Sequence, residues 1–244
     1  MFGASANTSV GRIFSGETDT VFTPRTVRTG RVGVVLLHGA GNPGEYQDLS
    51  AQPSSVKLAF ALASAGIPCM SGAMAGDAWC NDTLMSRVDS AWAYLVSAFG
   101  CSASKVALLG VSMGGGGAIR YKQLHPDRVA ACVGLIPLVD PVGVYTNNTA
   151  GFQASIATAW GVVAPAPLPD SANLMANAFK AKGVPFLSGY SSVDTIVDPN
   201  QVVAYTKAVG GTAFVTDTTQ GHSDAAVGGM PISTIAQFLT SYGC

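Results

Sequence analysis

The sequence predicts an α/β fold, a doubly wound and mostly parallel sheet with helices on both faces. Short runs of β-branched and other apolar residues alternate with longer stretches of helical character. Strands that are separated by helices in this way pair in parallel and are buried on both faces. No linker, charge run or internal repeat divides the 244 residues, so residues 1–244 are predicted to form a single domain.

The predicted elements follow one another in a regular order. Strands are predicted over residues 32–37, 67–70, 106–111, 129–138, 185–190 and 212–216, and helices over residues 55–65, 83–99 and 118–124 and at the C-terminus. Asp82 is predicted to cap the second of these helices. The first thirty residues fit either an irregular N-terminal leader or an antiparallel hairpin at the edge of the sheet. An insertion at about 141–182 fits either plain packing on the sheet or a partial cap over a pocket.

The most informative motif is Gly110-Val111-Ser112-Met113-Gly114, which directly follows a predicted strand. This G-x-S-x-G spacing is typical of a strained strand-to-helix turn that exposes a nucleophilic serine, with glycines where the strand and the helix approach closely. The motif also occurs by chance in a chain with 29 glycines. Ser112 is therefore a candidate nucleophile whose interpretation depends on partners elsewhere in the chain.

A nucleophilic serine needs a histidine to accept its proton, and the chain has three histidines. His38 lies in a glycine-rich loop and is interpreted as a residue that braces this loop. His125 stands before a proline at the end of a predicted helix, where its side chain is expected to face solvent. His222 lies in a loop after the last predicted strand, so it is the candidate general base.

A third group must orient the imidazole, and Asp194 is the candidate because it follows the predicted strand at 185–190. Asp198 precedes a proline and is better explained as a helix cap. The alternatives for the orienting role are Asp140, Asp198 and Asp224.

Acyl transfer also requires two backbone N–H groups that bind the developing oxyanion. Met113 follows the candidate nucleophile and is the first predicted donor. Ala40 lies in the loop after the strand at 32–37 and is the second, with Gly41 as its alternative. Gly41, Trp79 and Trp160 are candidates for the substrate rim, although Trp79 fits burial under the insertion equally well.

The order Ser112, Asp194, His222, together with His38-Gly39 upstream, resembles the α/β-hydrolase superfamily in its compact esterase and lipase-like branch. The resemblance extends from about residue 32 to the final helix. It implies hydrolysis of a small-molecule or lipid-like carboxylic ester through an acyl-enzyme, with no metal and no organic cofactor. A peptidase or amidase of the same fold is the enzymatic alternative, and a hydrolase-fold binding or structural protein is the non-enzymatic one.

The segment 76–82 and the helix that follows it are similar to hydrolases encoded beside tail genes of actinobacterial phages. This resemblance implies an ester of the bacterial envelope as substrate and association with a virion. No recognisable repeat, coiled coil or wall-binding module accompanies the segment.

Composition narrows the classes of partner. The net charge of −1 offers no basic surface for nucleic acid, and no apolar stretch is long enough to span a membrane. The absence of a signal peptide makes the cytoplasm the default expectation. Charged residues make up only 11% of the chain, which leaves a homo-oligomer or attachment to a larger assembly open. Among five cysteines, Cys69 and Cys132 are expected to be buried thiols, and Cys80 and Cys101 form the one pair considered for a disulfide.

Overall fold

The computed structural model describes residues 7–11, 19–42, 45–47 and 49–244. Within them, eight strands form one sheet: β1 (Asn7–Gly11), β2 (Asp19–Thr23), β3 (Val34–Leu37), β4 (Cys69–Ser71), β5 (Val106–Val111), β6 (Val129–Leu135), β7 (Phe186–Ser191) and β8 (Thr212–Asp217). Their order across the sheet is β1-β2-β4-β3-β5-β6-β7-β8. All pairs from β4 to β8 are parallel, which confirms the predicted doubly wound sheet.

Helices cover both faces of this sheet. They are α1 (Pro53–Ser64), α2 (Asp82–Phe99), α3 (Met113–Leu124), α4 (Pro141–Thr146), α5 (Gln153–Trp160), α6 (Pro199–Ala208), α7 (Asp224–Gly228) and α8 (Ile232–Ser241). Buried side chains of α2, α3 and α6 form one hydrophobic core with the sheet, and those of α1, α7 and α8 form the other. None of the helices in the described ranges is both long and apolar enough to cross a membrane.

The N-terminal region forms the antiparallel edge of the sheet. β1 pairs antiparallel with β2, and β2 pairs antiparallel with β4. Of the two alternatives for the first thirty residues, the described part therefore forms the edge hairpin. Residues 1–6 and 12–18 lie outside the described residues.

Two element boundaries differ from the prediction by three residues or more. α3 begins at Met113 rather than at residue 118, because its four consecutive glycines are buried against neighbouring strands and loops and leave no space for side chains. β6 ends at Leu135 rather than at residue 138, since Ile136 has a left-handed backbone (φ 43°) and Pro137 has no N–H for a sheet.

The cap of α2 also differs from the prediction. Asn81 is the N-cap, and its side chain accepts a hydrogen bond from Leu84 N–H at 3.1 Å. Asp82 instead lies in the first turn, where its carboxylate binds Arg120 at 2.5 Å. The prediction of Asp82 as the cap was wrong because the extended backbone of Asn81 already places an oxygen at the helix end.

The five cysteines are free thiols and are buried. Cys69 and Cys132 are both fully buried, as predicted, and Cys80 and Cys101 are not bonded to each other. Burial raises the pKa of the Cys132 thiol to about 12. The described cysteines therefore act as small apolar side chains in the core.

The insertion at 141–182 contains α4, α5 and three single helical turns. It packs on the core shared by α2 and α3, where Ile156 and Leu174 are fully buried. Most of its apolar side chains are therefore accounted for by packing. Phe152 remains half-buried, and its position is relevant to the site below.

Candidate active site

Ser112 lies at a strained turn between β5 and α3, with φ 50° and ψ −117°. A Cβ atom at Gly110 would lie 2.2 Å from the carbonyl oxygen of Gly114, and one at Gly114 would lie 2.2 Å from the carbonyl oxygen of Leu37. Neither position has space for a side chain. The Ser112 N–H donates to Leu135 O at 2.9 Å, so backbone contacts on both sides fix the direction of the serine side chain.

Three side chains from distant parts of the sequence form a continuous hydrogen-bonded chain at this turn. Ser112 Oγ lies 2.8 Å from His222 Nε2, and His222 Nδ1 lies 2.7 Å from Asp194 Oδ2. The other carboxylate oxygen of Asp194 accepts the N–H groups of Ile196 and Val197 at 2.8 and 2.9 Å. Because Oδ1 is occupied by these amides, Oδ2 is held toward the imidazole. The arrangement can carry a proton from the serine oxygen to the histidine.

The other two histidines lie elsewhere. His38 is buried, and its ring nitrogens each lie 2.7 Å from a carbonyl oxygen, those of Gly39 and Ala73. His125 lies at the far end of α3, about 20 Å along the helix axis from Ser112. Its ring is half-buried against Tyr121 rather than facing solvent as expected, because the helix end brings the two rings within 4.7 Å.

The alternative aspartates have local partners. Asp198 caps α6 by accepting the Asn200 N–H at 2.8 Å, as its position before a proline predicted. Asp140 caps α4 through Gly143 N–H at 2.9 Å. Asp224 accepts both the N–H and the hydroxyl of Ser54. The structure therefore brings Asp194, and none of these three, to the ring of His222.

The loop that follows β3 carries the predicted oxyanion donors. Its Gly39 N–H donates to Glu45 Oε2, and its Gly41 N–H donates to Asp77 Oδ1 at 2.6 Å. Between them, Ala40 N–H has no hydrogen-bond partner within the described ranges. Met113 N–H, at the first position of α3, likewise has no partner within its helix. Since Gly41 N–H is already engaged, Ala40 is the better placed of the two alternatives in this loop.

A cavity of about 150 Å³ adjoins the serine. Its lining includes Ser112, His222, Ala40, Glu45 and Phe152. Acidic and apolar side chains thus face the same small space. Neither Glu45 nor Phe152 was singled out from the sequence, because only the fold brings these parts of the chain to the serine.

None of the three predicted rim residues lines this cavity. Trp79 is buried beneath the insertion, where its indole N–H donates to Ser155 Oγ at 2.7 Å. Trp160 donates its indole N–H to Trp79 O at 2.9 Å and packs under the guanidinium of Arg120. Gly41 is exposed beside Ala40. The two tryptophans therefore hold the insertion on the body of the protein.

Two further carboxylates organise the loops around the site. Burial raises the pKa of Glu45 above its ordinary value. The hydrogen bonds from Gly39 and Ser55 and the charge of His38 lower the pKa, but burial has the larger effect. Asp217 ends β8 and accepts the N–H groups of Gln220 and Gly221, directly before His222. Desolvation opposes its ionisation, but hydrogen bonds from Gln220, Thr219 and Ser191 outweigh it and lower the pKa of Asp217 to about 2.

No group of three metal-ligating side chains (His, Cys, Asp or Glu) that could hold a metal ion occurs within the described ranges. The groups that the described residues bring together at the site are the Ser112 hydroxyl, the His222 imidazole, the Asp194 carboxylate and the backbone N–H groups described above.

Comparison by sequence finds no matching protein-family model and no curated protein that matches the chain. Comparison of structures finds many matches. An esterase of Pyrococcus furiosus is 14% identical with a TM-score of 0.66, and the match covers 98% of this chain and 92% of that one. An S-formylglutathione hydrolase of Agrobacterium tumefaciens is also 14% identical with a TM-score of 0.66, covering 98% of this chain and 95% of that one.

A third similar structure is the fluorophosphonate-binding serine hydrolase F of Staphylococcus aureus, bound to a substrate. It is 15% identical with a TM-score of 0.65, and the match covers 93% of this chain and 92% of that one. Likeness at this level of identity shows the fold and leaves the reaction to be argued from the residues. The chain thus has the α/β-hydrolase fold.

Proposed function

We propose that the protein is a serine hydrolase that cleaves carboxylic esters through an acyl-enzyme intermediate. The observation that carries this proposal is the unbroken chain of hydrogen bonds from Ser112 Oγ through His222 to Asp194. The esterases and serine hydrolases among the similar structures support it.

In the first half of the reaction, His222 Nε2 removes the proton of Ser112 Oγ, and the oxygen attacks the ester carbonyl carbon. The tetrahedral intermediate collapses when the C–O bond to the alcohol breaks and His222 returns the proton to the leaving oxygen. In the second half, His222 takes a proton from water, whose oxygen attacks the acyl carbon. The acid leaves, and Ser112 regains its proton. Asp194 stabilises the imidazolium in both halves.

The oxyanion formed in each half needs hydrogen-bond donors that are already oriented. We assign this role to the N–H groups of Met113 and Ala40. Neither N–H has a hydrogen-bond partner among the described residues, Met113 directly follows Ser112, and Ala40 lines the same cavity as Ser112, which supports the assignment.

The cavity favours a short acyl group. Its volume of about 150 Å³ is smaller than the roughly 300–1,000 Å³ that larger ligands occupy. Phe152, from the start of the insertion, forms part of its wall. This contact supports the insertion as a partial cap, limited to one side of the cavity.

Hydrolysis of p-nitrophenyl esters from acetate to palmitate tests the proposal, with Ser112→Ala as the matched control. We expect turnover that is highest for the shortest acyl chains and falls by at least about 10³-fold in the variant. Equal turnover in a folded Ser112→Ala protein would contradict the assignment of the nucleophile. A folded wild-type protein that cleaves anilides but none of the esters would favour an amidase.

A further inference from the structure

The loop at 39–41 is held by two carboxylates that come from outside it. Glu45 Oε2 accepts the Gly39 N–H, and Asp77 Oδ1 accepts the Gly41 N–H. The amide between them belongs to Ala40 and has no hydrogen-bond partner among the described residues. The Ala40 residue that carries this amide lines the serine cavity.

Glu45 is itself firmly placed. It is 2% exposed, and its second oxygen accepts the hydroxyl of Ser55 in α1 at 2.8 Å. A Cβ atom built on Gly39 would lie 3.4 Å from Glu45 Oε2 and 3.5 Å from Ser112 Cβ. The carboxylate and the serine therefore flank the same short piece of backbone.

A carboxylate that accepts a backbone N–H forms a charge-assisted hydrogen bond, which is stronger than a neutral one. Each peptide group is planar, so fixing the plane before Gly39 and the plane before Gly41 restricts the plane between them. That middle plane carries the N–H of Ala40. A misdirected N–H would leave the oxyanion with one well-aligned donor instead of two.

Among the described residues, Ser112 Oγ is hydrogen-bonded to His222, and the hydrogen bonds of Glu45 run elsewhere. Two titratable groups act on Glu45: the charge of His38 lowers its pKa and that of Asp224 raises it. Its direct partners are the Gly39 amide and the Ser55 hydroxyl. Its contacts therefore point to the loop rather than to a proton transfer.

We propose that Glu45 is a positioning residue, which directs the Ala40 N–H toward the oxyanion by holding the Gly39 amide, with Asp77 holding the Gly41 amide from the other side. The proposal rests on the proposed function of the site. It predicts that these carboxylates act on turnover and not on the binding of the ester.

The first test compares Glu45→Leu with Glu45→Gln, using p-nitrophenyl acetate. Glutamine can still accept the Gly39 N–H and donate to Ser55, whereas leucine can do neither. We expect the leucine variant to lose about 10- to 100-fold in kcat with KM nearly unchanged. We expect the glutamine variant to stay within about 3-fold of the wild type. Thermal unfolding of each variant is the control for a general loss of structure.

The second test uses Asp77, whose exposed side chain makes loss of the fold a small concern. Asp77→Ala should lower kcat by about 3- to 10-fold at constant KM. Asp77→Asn keeps an acceptor for the Gly41 N–H, so its kcat should be close to that of the wild type. This series applies even where Glu45→Leu does not fold.

A folded Glu45→Leu protein with the wild-type kcat would overturn the proposal. Equal losses in the leucine and glutamine variants would also overturn it, because glutamine keeps an acceptor for the Gly39 N–H and leucine does not. If Glu45→Leu does not fold, an unchanged kcat in Asp77→Ala overturns the proposal. These outcomes require an active wild-type protein, so they differ from a failure of the proposed function, in which the wild type hydrolyses no ester.

Discussion

The turn that carries Ser112 and the loops that carry Ala40 and His222 meet at one cavity but are held in different ways. The turn is fixed by backbone contacts, with glycines where any side chain would collide. The loops are fixed by carboxylates that accept backbone N–H groups, Glu45 and Asp77 for the loop of Ala40 and Asp217 for the loop of His222. Close packing of the backbone therefore fixes the turn, whereas hydrogen bonds to carboxylates fix the two loops. Changes at the turn should affect folding, whereas changes at the carboxylates should affect turnover.

Gly114→Ala should have the largest effect. The new methyl group would lie 2.2 Å from Leu37 O, which is backbone in the centre of the sheet and has nowhere to move. We expect a loss of about 3 kcal/mol or more in the free energy of unfolding, measured by denaturant titration.

Gly161→Ala is the matched control for Gly114→Ala. Gly161 has φ 64° and open space around it, so alanine should cost only about 1–2 kcal/mol. An equal loss in the free energy of unfolding at Gly114 and Gly161 would contradict the explanation of the turn by close packing.

Asp194→Asn should have the next largest effect, and on turnover alone. The amide would no longer hold the imidazole in the required tautomer, so we expect kcat for p-nitrophenyl acetate to fall about 10³- to 10⁴-fold. Asp198→Asn is the control, because asparagine also caps a helix, and its kcat should stay within about 2-fold of the wild type. A similar loss in both variants would exclude Asp194 as the specific partner of His222.

Asp217→Ala should have an intermediate effect. It removes the acceptor for Gln220 and Gly221 N–H and loosens the segment before His222. We expect kcat to fall about 10-fold, with Asp217→Asn less affected. An unchanged kcat in Asp217→Ala would show that other contacts hold the histidine loop.

The stability that Asp217 contributes should also depend on pH. Its pKa of about 2 in the folded protein lies below the ordinary value of 3.8. The folded state therefore binds fewer protons than the unfolded state between these values, and the contribution is present above about pH 4 and lost as the pH falls toward 2. The difference in melting temperature between wild type and Asp217→Ala should shrink across this window. A difference in melting temperature that stays constant between pH 4 and pH 2 would contradict the lowered pKa of Asp217.

Phe152→Ala should have the smallest effect. Removing the ring from the cavity wall should move the acyl-chain preference toward longer esters by about 3- to 5-fold in relative kcat/KM. Trp160→Ala, which removes a ring outside the cavity, should lower the melting temperature and leave the preference unchanged. The reverse pattern would show that Trp160, rather than Phe152, limits the acyl group.

The same contrast explains what could be predicted from the sequence. The parallel sheet and the strand before Ser112 were predictable, because buried strands require apolar runs and a strained turn requires glycines nearby in the chain. Glu45 and Asp217 were not, since a carboxylate that binds a loop amide has no local pattern. Trp79 was left between two interpretations because its environment depends on the insertion. Its contacts with Ser155 and Trp160 in the folded protein show that it lies under that segment.

The central claim is that Ser112 is a nucleophile activated by His222. The most direct measurement is reaction with a fluorophosphonate probe, followed by peptide mass spectrometry to locate the modified residue. The account predicts one label per chain on Ser112, no label in Ser112→Ala, and labelling slowed by at least about 10²-fold in His222→Ala. A label on any other residue, or an unlabelled wild-type protein that still hydrolyses esters, would contradict the claim.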